Sequence, residues 1–488
     1  MRMIRFSSIT GVFRAVAVYV GAVARRRILR VAPVAALVVA VTLVVDPTLA
    51  TAAAGWLTGL ASPAAAPPSS RVAAVRQGDV WVVDTASGTE TRLTTGGNGH
   101  LLQWTDDGGA LFFTAGPSRL PARTLRWRPG QGATPVPSGV WSPTGTATAL
   151  TGAAAALSSS TGVWIESNGR RTRITPLDSG VRWFPLAWSS DGRRLALGRI
   201  GVPSSQRPGQ PIPPTGGSLW VTEGDVLAGR LRQLPLPPTD NGQPGWPDVA
   251  VWSPDGRFLT VGVGPDQPCA SCRADGVPYE AVPVDGGSPV PLGSALQPDE
   301  ALSWSPAGSF VVLSTLLGQG ALGRETYAGK QLVRVDLPSG NRRDLSHETD
   351  WADVEPAVSP DGTTIAFARG RAQQPWTSAT APGSGNTPVE LIASRHVWLM
   401  DADGAQPRQL VESPGWTDEA PAWTPDGRWI VFVRWRARPT ATAELWAVRS
   451  DGTGLQRVAS GLDRSSYGQG FGYYGAFGWR RLFAIAPR

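Results

Sequence analysis

At 488 residues the chain is long enough for two or three average domains or one large repetitive one. Its formal charge of +7 rests on seven arginines that precede the first acidic residue, Asp46, and the basic residues after them balance the 38 acidic ones. A neutral body lacks the electrostatic footprint that phosphate backbones require, so nucleic acid is not an expected partner. With 58 Gly, 44 Pro and 21 Trp against 17% charged residues, the composition is that of many short strands joined by tight turns around a large core.

Residues 1–56 read as an export signal or an N-terminal membrane anchor. An arginine-rich start leads into the apolar run "VAPVAALVVAVTLVV" (31–45), then the helix-breaking Asp46-Pro47 and the small-residue stretch "TLATAAAGW". The run is shorter than the roughly 20 residues of a membrane span, which favours cleavage over an anchor. Just before the run, "ARRRILR" (24–30) has the form of a twin-arginine export signal, although arginines that merely orient the segment give the same pattern. Either way the body is expected outside the cytoplasm, in the periplasm, cell envelope or medium. Residues 57–70, rich in Ala, Pro and Ser, read as a linker.

From residue 71 onward one pattern recurs. "WTDDGGALFF" at Trp104 is followed by "WSPTGTATAL" (141), "WSSDGRRLAL" (188), "WSPDGRFLTV" (252), "WSPAGSFVVL" (304), "VSPDGTTIAF" (358) and "WTPDGRWIVF" (423), spaced 37 to 65 residues apart. Each copy is a strand ending in Trp, or Val at 358, then a turn of the Ser/Thr-Pro-Asp-Gly type and an alternating second strand, which is hairpin chemistry. A second hairpin follows each one, for example "VWLMDADGAQPRQL" (397–410), and two hairpins make a four-stranded propeller blade. The expected fold is therefore an all-β propeller over residues 71–488. Eight second hairpins against seven first ones point to eight blades, the last closed by pairing "RRLFAIA" (480–486) with "RVAAV" (71–75). Seven blades is the alternative if residues 120–160 do not form a blade of their own.

These repeats resemble the TolB-like family of β-propellers, whose Trp-Ser-Pro-Asp-Gly units also occur beside prolyl-oligopeptidase-type peptidases. The resemblance implies an envelope scaffold that holds a protein or peptide. A fold of this kind hosts unrelated sites, so function has to be argued from residues. The peptidases carry a G-x-S-x-G nucleophile turn, and this sequence has none.

Short turns join the first and second, and the third and fourth, strands of each blade on one face. The long insertions fall on the opposite face, where function is expected. On that face "WADVEPAVSPDG" (351–362) and "WTDEAPAWTPDG" (416–427) align without gaps, placing Asp353 over Asp418. Asp299 falls at the same position and Asp248 one place later, with Glu300, Glu355 and Glu419 nearby. These carboxylates are expected to ring the channel mouth, able to hold a basic peptide or a hard cation, or else to bond backbone groups of the neighbouring blade. Trp351 and Trp416 are binding aromatics or packing groups at the same rim. Cys269 and Cys272, in "CASC", read as a local disulfide, with free thiols and a redox centre as alternatives. No metal-ligand spacing links the three histidines, and no resident metal or other cofactor is expected. His347, near Asp350 and Asp353, is the one candidate for acid/base work. The sequence thus favours a protein- or peptide-binding propeller without enzymatic activity, touching the membrane only through an uncleaved N-terminal segment. The alternative is a propeller enzyme, a lyase or hydrolase acting on a polysaccharide or small substrate at the channel mouth.

Overall fold

The computed structural model describes residues 70–116, 123–144, 147–154, 157–201, 215–236, 245–264, 277–295, 302–316, 330–346, 348, 350–371, 393–436, 442–463 and 478–487. The leader and nearly all of the linker lie outside them. Residues 67–488 form one compact unit. Among the described residues no helix is long and apolar enough to cross a membrane.

The described strands fall into eight antiparallel quartets. In chain order they occupy residues 100–135, 140–173, 181–234, 246–295, 302–344, 351–409 and 417–462, seven quartets of consecutive strands. The eighth joins the two ends of the unit. Phe483–Ile485 pairs with Arg71–Arg76, placing Ala484 opposite Ala73, and Asp79–Asp84 and Thr89–Arg92 follow.

The recurring chemistry of the repeat is mostly architecture. In the sixth quartet the Ser359 hydroxyl donates to Asp361 Oδ1 at 2.5 Å and accepts from Thr364 N, while the same carboxylate oxygen accepts from Thr363 N at 3.0 Å. Gly362 follows at a φ of 76°, a left-handed conformation that only glycine adopts without strain. The hydroxyl-to-carboxylate bond recurs as Thr105–Asp107, Ser189–Asp191, Ser253–Asp255 and Thr424–Asp426. The Ser359 hydroxyl bond, with the backbone bond from Thr363, holds the Asp361 carboxyl below its ordinary value.

Four of the six repeat tryptophans tie one quartet to a neighbouring one through the indole N–H. Trp188 Nε1 donates to Val140 O at 2.8 Å, Trp252 Nε1 to Ala187 O at 3.0 Å and Trp423 Nε1 to Ala357 O at 2.9 Å. Where Val358 replaces Trp, its backbone N–H donates to Ser303 Oγ instead. Trp104 Nε1 reaches Ala484 O at 3.1 Å, so the first quartet is bonded to the composite eighth and the order of quartets returns on itself. This circular order of antiparallel quartets is a β-propeller. Its core lies between quartets: Ala366, Leu399, Ile430, Phe432 and Val448 pack in one such cluster, drawn from the sixth and seventh. The stretch after residue 120, weakly patterned in sequence, supplies strands to the first and second quartets, where Trp141 stacks on Phe112 with ring centroids 4.4 Å apart.

Candidate functional site

The innermost strands of the sixth and seventh quartets, Trp351–Val358 and Thr417–Trp423, carry the recurring acids. Asp353 lies opposite Arg369, and Asp418 opposite Arg434, in the register of each first hairpin. Arg369 Nε and Nη2 donate to the two oxygens of Asp353 at 2.7 and 2.8 Å, and the Ser346 hydroxyl donates to Oδ2 at 2.6 Å. Arg434 repeats the fork on Asp418 at 2.7 and 3.1 Å and also donates to Ser413 Oγ. Both carboxylates are fully buried and both guanidiniums nearly so. The expected rim of open carboxylates is therefore replaced at these positions by bidentate ion pairs inside the blade, because a charge is stable in the interior only when paired and hydrogen-bonded.

The glutamates are also engaged. Glu355 Oε2 accepts from Ala420 N at 2.6 Å, a carboxylate-to-backbone bond between the sixth and seventh quartets of the kind foreseen for the aspartates. Glu419 receives Arg395 Nη1 at 2.5 Å on one oxygen and the indole N–H groups of Trp435 and Trp479, both at 2.8 Å, on the other. Glu355 and Ala420 sit where the register of their hairpins shifts, and both take a positive φ. Asp248 is half-buried at the matching shift between Pro247 and Val249. Such bulges re-aim side chains, and here they turn Glu355 toward the next blade. His396 Nδ1 lies 3.6 Å from Asp418 Oδ2. Among the described residues no group of three or more His, Cys, Asp or Glu is placed to hold a metal ion. Asp299, Glu300, His347, Cys269 and Cys272 lie outside the described residues.

Trp351 and Trp416 stand half-exposed at the end of these strands opposite the Ser/Thr-Pro-Asp-Gly turns. Each is flanked by two arginines. Arg369 and Arg371 approach the Trp351 ring at 5.8 and 4.9 Å, and Arg434 and Arg436 approach Trp416 at 5.9 and 4.5 Å. The inner arginines also lie over Trp398 and Trp446, at 5.0 and 4.9 Å. The outer two, Arg371 and Arg436, are exposed. Sequence reasoning missed all four arginines, although the signal was present: carried past residue 362, the same ungapped alignment sets "FARGR" (367–371) over "FVRWR" (432–436).

Circular quartets and Trp-anchored Ser/Thr-Pro-Asp-Gly hairpins define the class, a β-propeller with a Trp-Arg platform on adjacent blades. No family model matches the chain. An uncharacterized protein of Agrobacterium fabrum is 28% identical over 196 residues, 35% of this chain and 60% of that relative. The Tol-Pal system protein TolB of Zymomonas mobilis is 38% identical over 77 residues, 16% of each. The chain thus spans less than two thirds of the length of either. Among solved structures, TolB from Acinetobacter baumannii aligns at 15% identity and a TM-score of 0.34, over 86% of this chain and 67% of that one. Over the short stretches matched in sequence the chain is similar to TolB-like β-propellers.

Proposed function

We propose that the chain is an exported propeller that binds a protein or peptide in the cell envelope through the face bearing Trp351 and Trp416. The observation that carries this reading is the fate of the recurrent acids. Asp353, Asp418 and Glu419 are buried and each paired with an arginine, so they are committed to structure, whereas two half-exposed tryptophans with their arginines recur on adjacent blades. Aromatic and arginine side chains of this kind are the usual anchors of protein interfaces. Relatives named as Tol-Pal system proteins and the basic, apolar leader support an envelope setting.

The test is crosslinking capture from envelope extract with the full chain and with Trp351→Ala/Trp416→Ala. Capture of a discrete protein by the wild type, lost in a double variant with an unchanged circular-dichroism spectrum, is expected. No partner for the wild type, or equal capture by both, overturns the reading.

A further inference from the structure

We propose that this face docks an acidic peptide segment of the partner, held by Arg371 and Arg436; the proposal rests on the protein-binding reading above and specifies the partner's chemistry. It reverses the sign expected from sequence, where the recurrent aspartates suggested an anionic rim for a basic peptide. The reversal follows from the count of charges at each platform. One carboxylate, Asp353 or Asp418, faces two arginines, and the inner arginine consumes it completely in a buried fork. The outer arginine keeps its charge and is exposed. Among the described residues neither Arg371 nor Arg436 has a carboxylate partner. Glu444, opposite Arg434 in register, is taken by Trp446 Nε1 and Arg457.

A third blade shows the same excess. In the third quartet Arg199 occupies the register position of Arg369, but Trp183 stands opposite it where Asp353 would be. Its guanidinium lies 5.8 Å from the Trp183 ring, again with no carboxylate partner among the described residues. Stacking on indole holds a guanidinium in place while leaving its N–H edges free, which prepares it for a planar carboxylate. Two further features select a peptide over other anions. Both indoles already carry two guanidiniums within 6 Å, which leaves less ring face for stacking on a sugar. The overall balance of basic and acidic residues beyond the leader gives no extended positive field for a phosphate polymer.

The experiment uses the full chain against an array of short peptides graded from strongly acidic to strongly basic, with an oligogalacturonate as the anionic carbohydrate control. Acidic peptides are expected to bind, with affinity that falls as salt rises. Arg371→Gln/Arg436→Gln lowers that affinity by about tenfold or more, and Arg371→Lys/Arg436→Lys restores part of it. Both substitutions lie on exposed side chains, and a thermal melt matching the wild type verifies the fold. Preference for basic peptides, tighter binding of the oligogalacturonate, or equal affinity of the Gln variant overturns the proposal. If the Gln variant still captures the envelope partner at wild-type level, this inference falls while the protein-binding function stands. If the wild type captures none, the function itself falls.

Discussion

Arg369 donates two hydrogen bonds to Asp353 in a space nearly closed to water, and the consequences of disturbing them are asymmetric. Removing one partner leaves an uncompensated buried charge, whereas removing both leaves only a packing problem. Asp353→Ala is therefore expected to destabilise the propeller by about 3–5 kcal/mol, read as a lower midpoint in urea unfolding. Asp353→Leu/Arg369→Met should recover most of that loss. A double variant as weak as the single one would show that the pair contributes more than mutual neutralisation. The aspartates were legible as a recurring feature because they stand beside the Pro-Asp-Gly signature. Their partners were harder to read, because an arginine sixteen residues downstream meets its aspartate through cross-strand register, and only the alignment of the two repeats carries that spacing. Burial decided the outcome: the same carboxylate is a ligand when open to solvent and a structural counter-ion when enclosed.

The hairpin was the element most visible in sequence, since its turn demands a glycine at positive φ and an acid that caps its own loop. The bulge in the innermost strand was not visible. Its left-handed positions are filled by Glu355 and Ala420 rather than by the Gly or Asn that would advertise them. The turn also makes the fold sensitive to acid in a defined direction. The Asp361 carboxyl, held below its ordinary value of 3.8 first by the Ser359 hydroxyl, binds its proton less readily folded than unfolded. Its contribution is thus fully present above about pH 4 and is lost as pH falls through the lower folded value. Asp361→Asn should melt below the wild type at neutral pH, and the gap should narrow as the buffer is taken below 3.8. A gap that stays constant down to that range would mean that the charge of the turn is irrelevant to stability.

A ring of quartets is completed where its two ends meet, and here the meeting point is reinforced from a neighbouring blade. Val75 N donates to Leu482 O and Ala486 N to Arg71 O, both at 2.8 Å, stitching the last strand to the first. Just before that strand, Trp479 is buried with its indole N–H on Glu419, and Arg480 donates to Pro421 O, so the seventh quartet grips the segment that closes the eighth. The pairing of the terminal strands was legible as two orphan strands of the right length. The grip was not, because Glu419 and Trp479 are sixty residues apart and belong to no shared motif. Trp479→Phe keeps an aromatic ring, removes the donor together with part of the indole's volume, and leaves Glu419 with Arg395 and Trp435. A hydrogen bond to a charged group contributes about 1.5–3 kcal/mol, and a loss of that size is expected in chemical unfolding. The loss should be larger than for Trp252→Phe, whose indole donates to the neutral carbonyl of Ala187 at about 0.5–1.5 kcal/mol. If closure is the weak point of the ring, the Trp479 variant should also yield its C-terminal residues to carboxypeptidase under conditions where Trp252→Phe does not. Equal resistance of the two variants would place the first opening of the propeller at another seam.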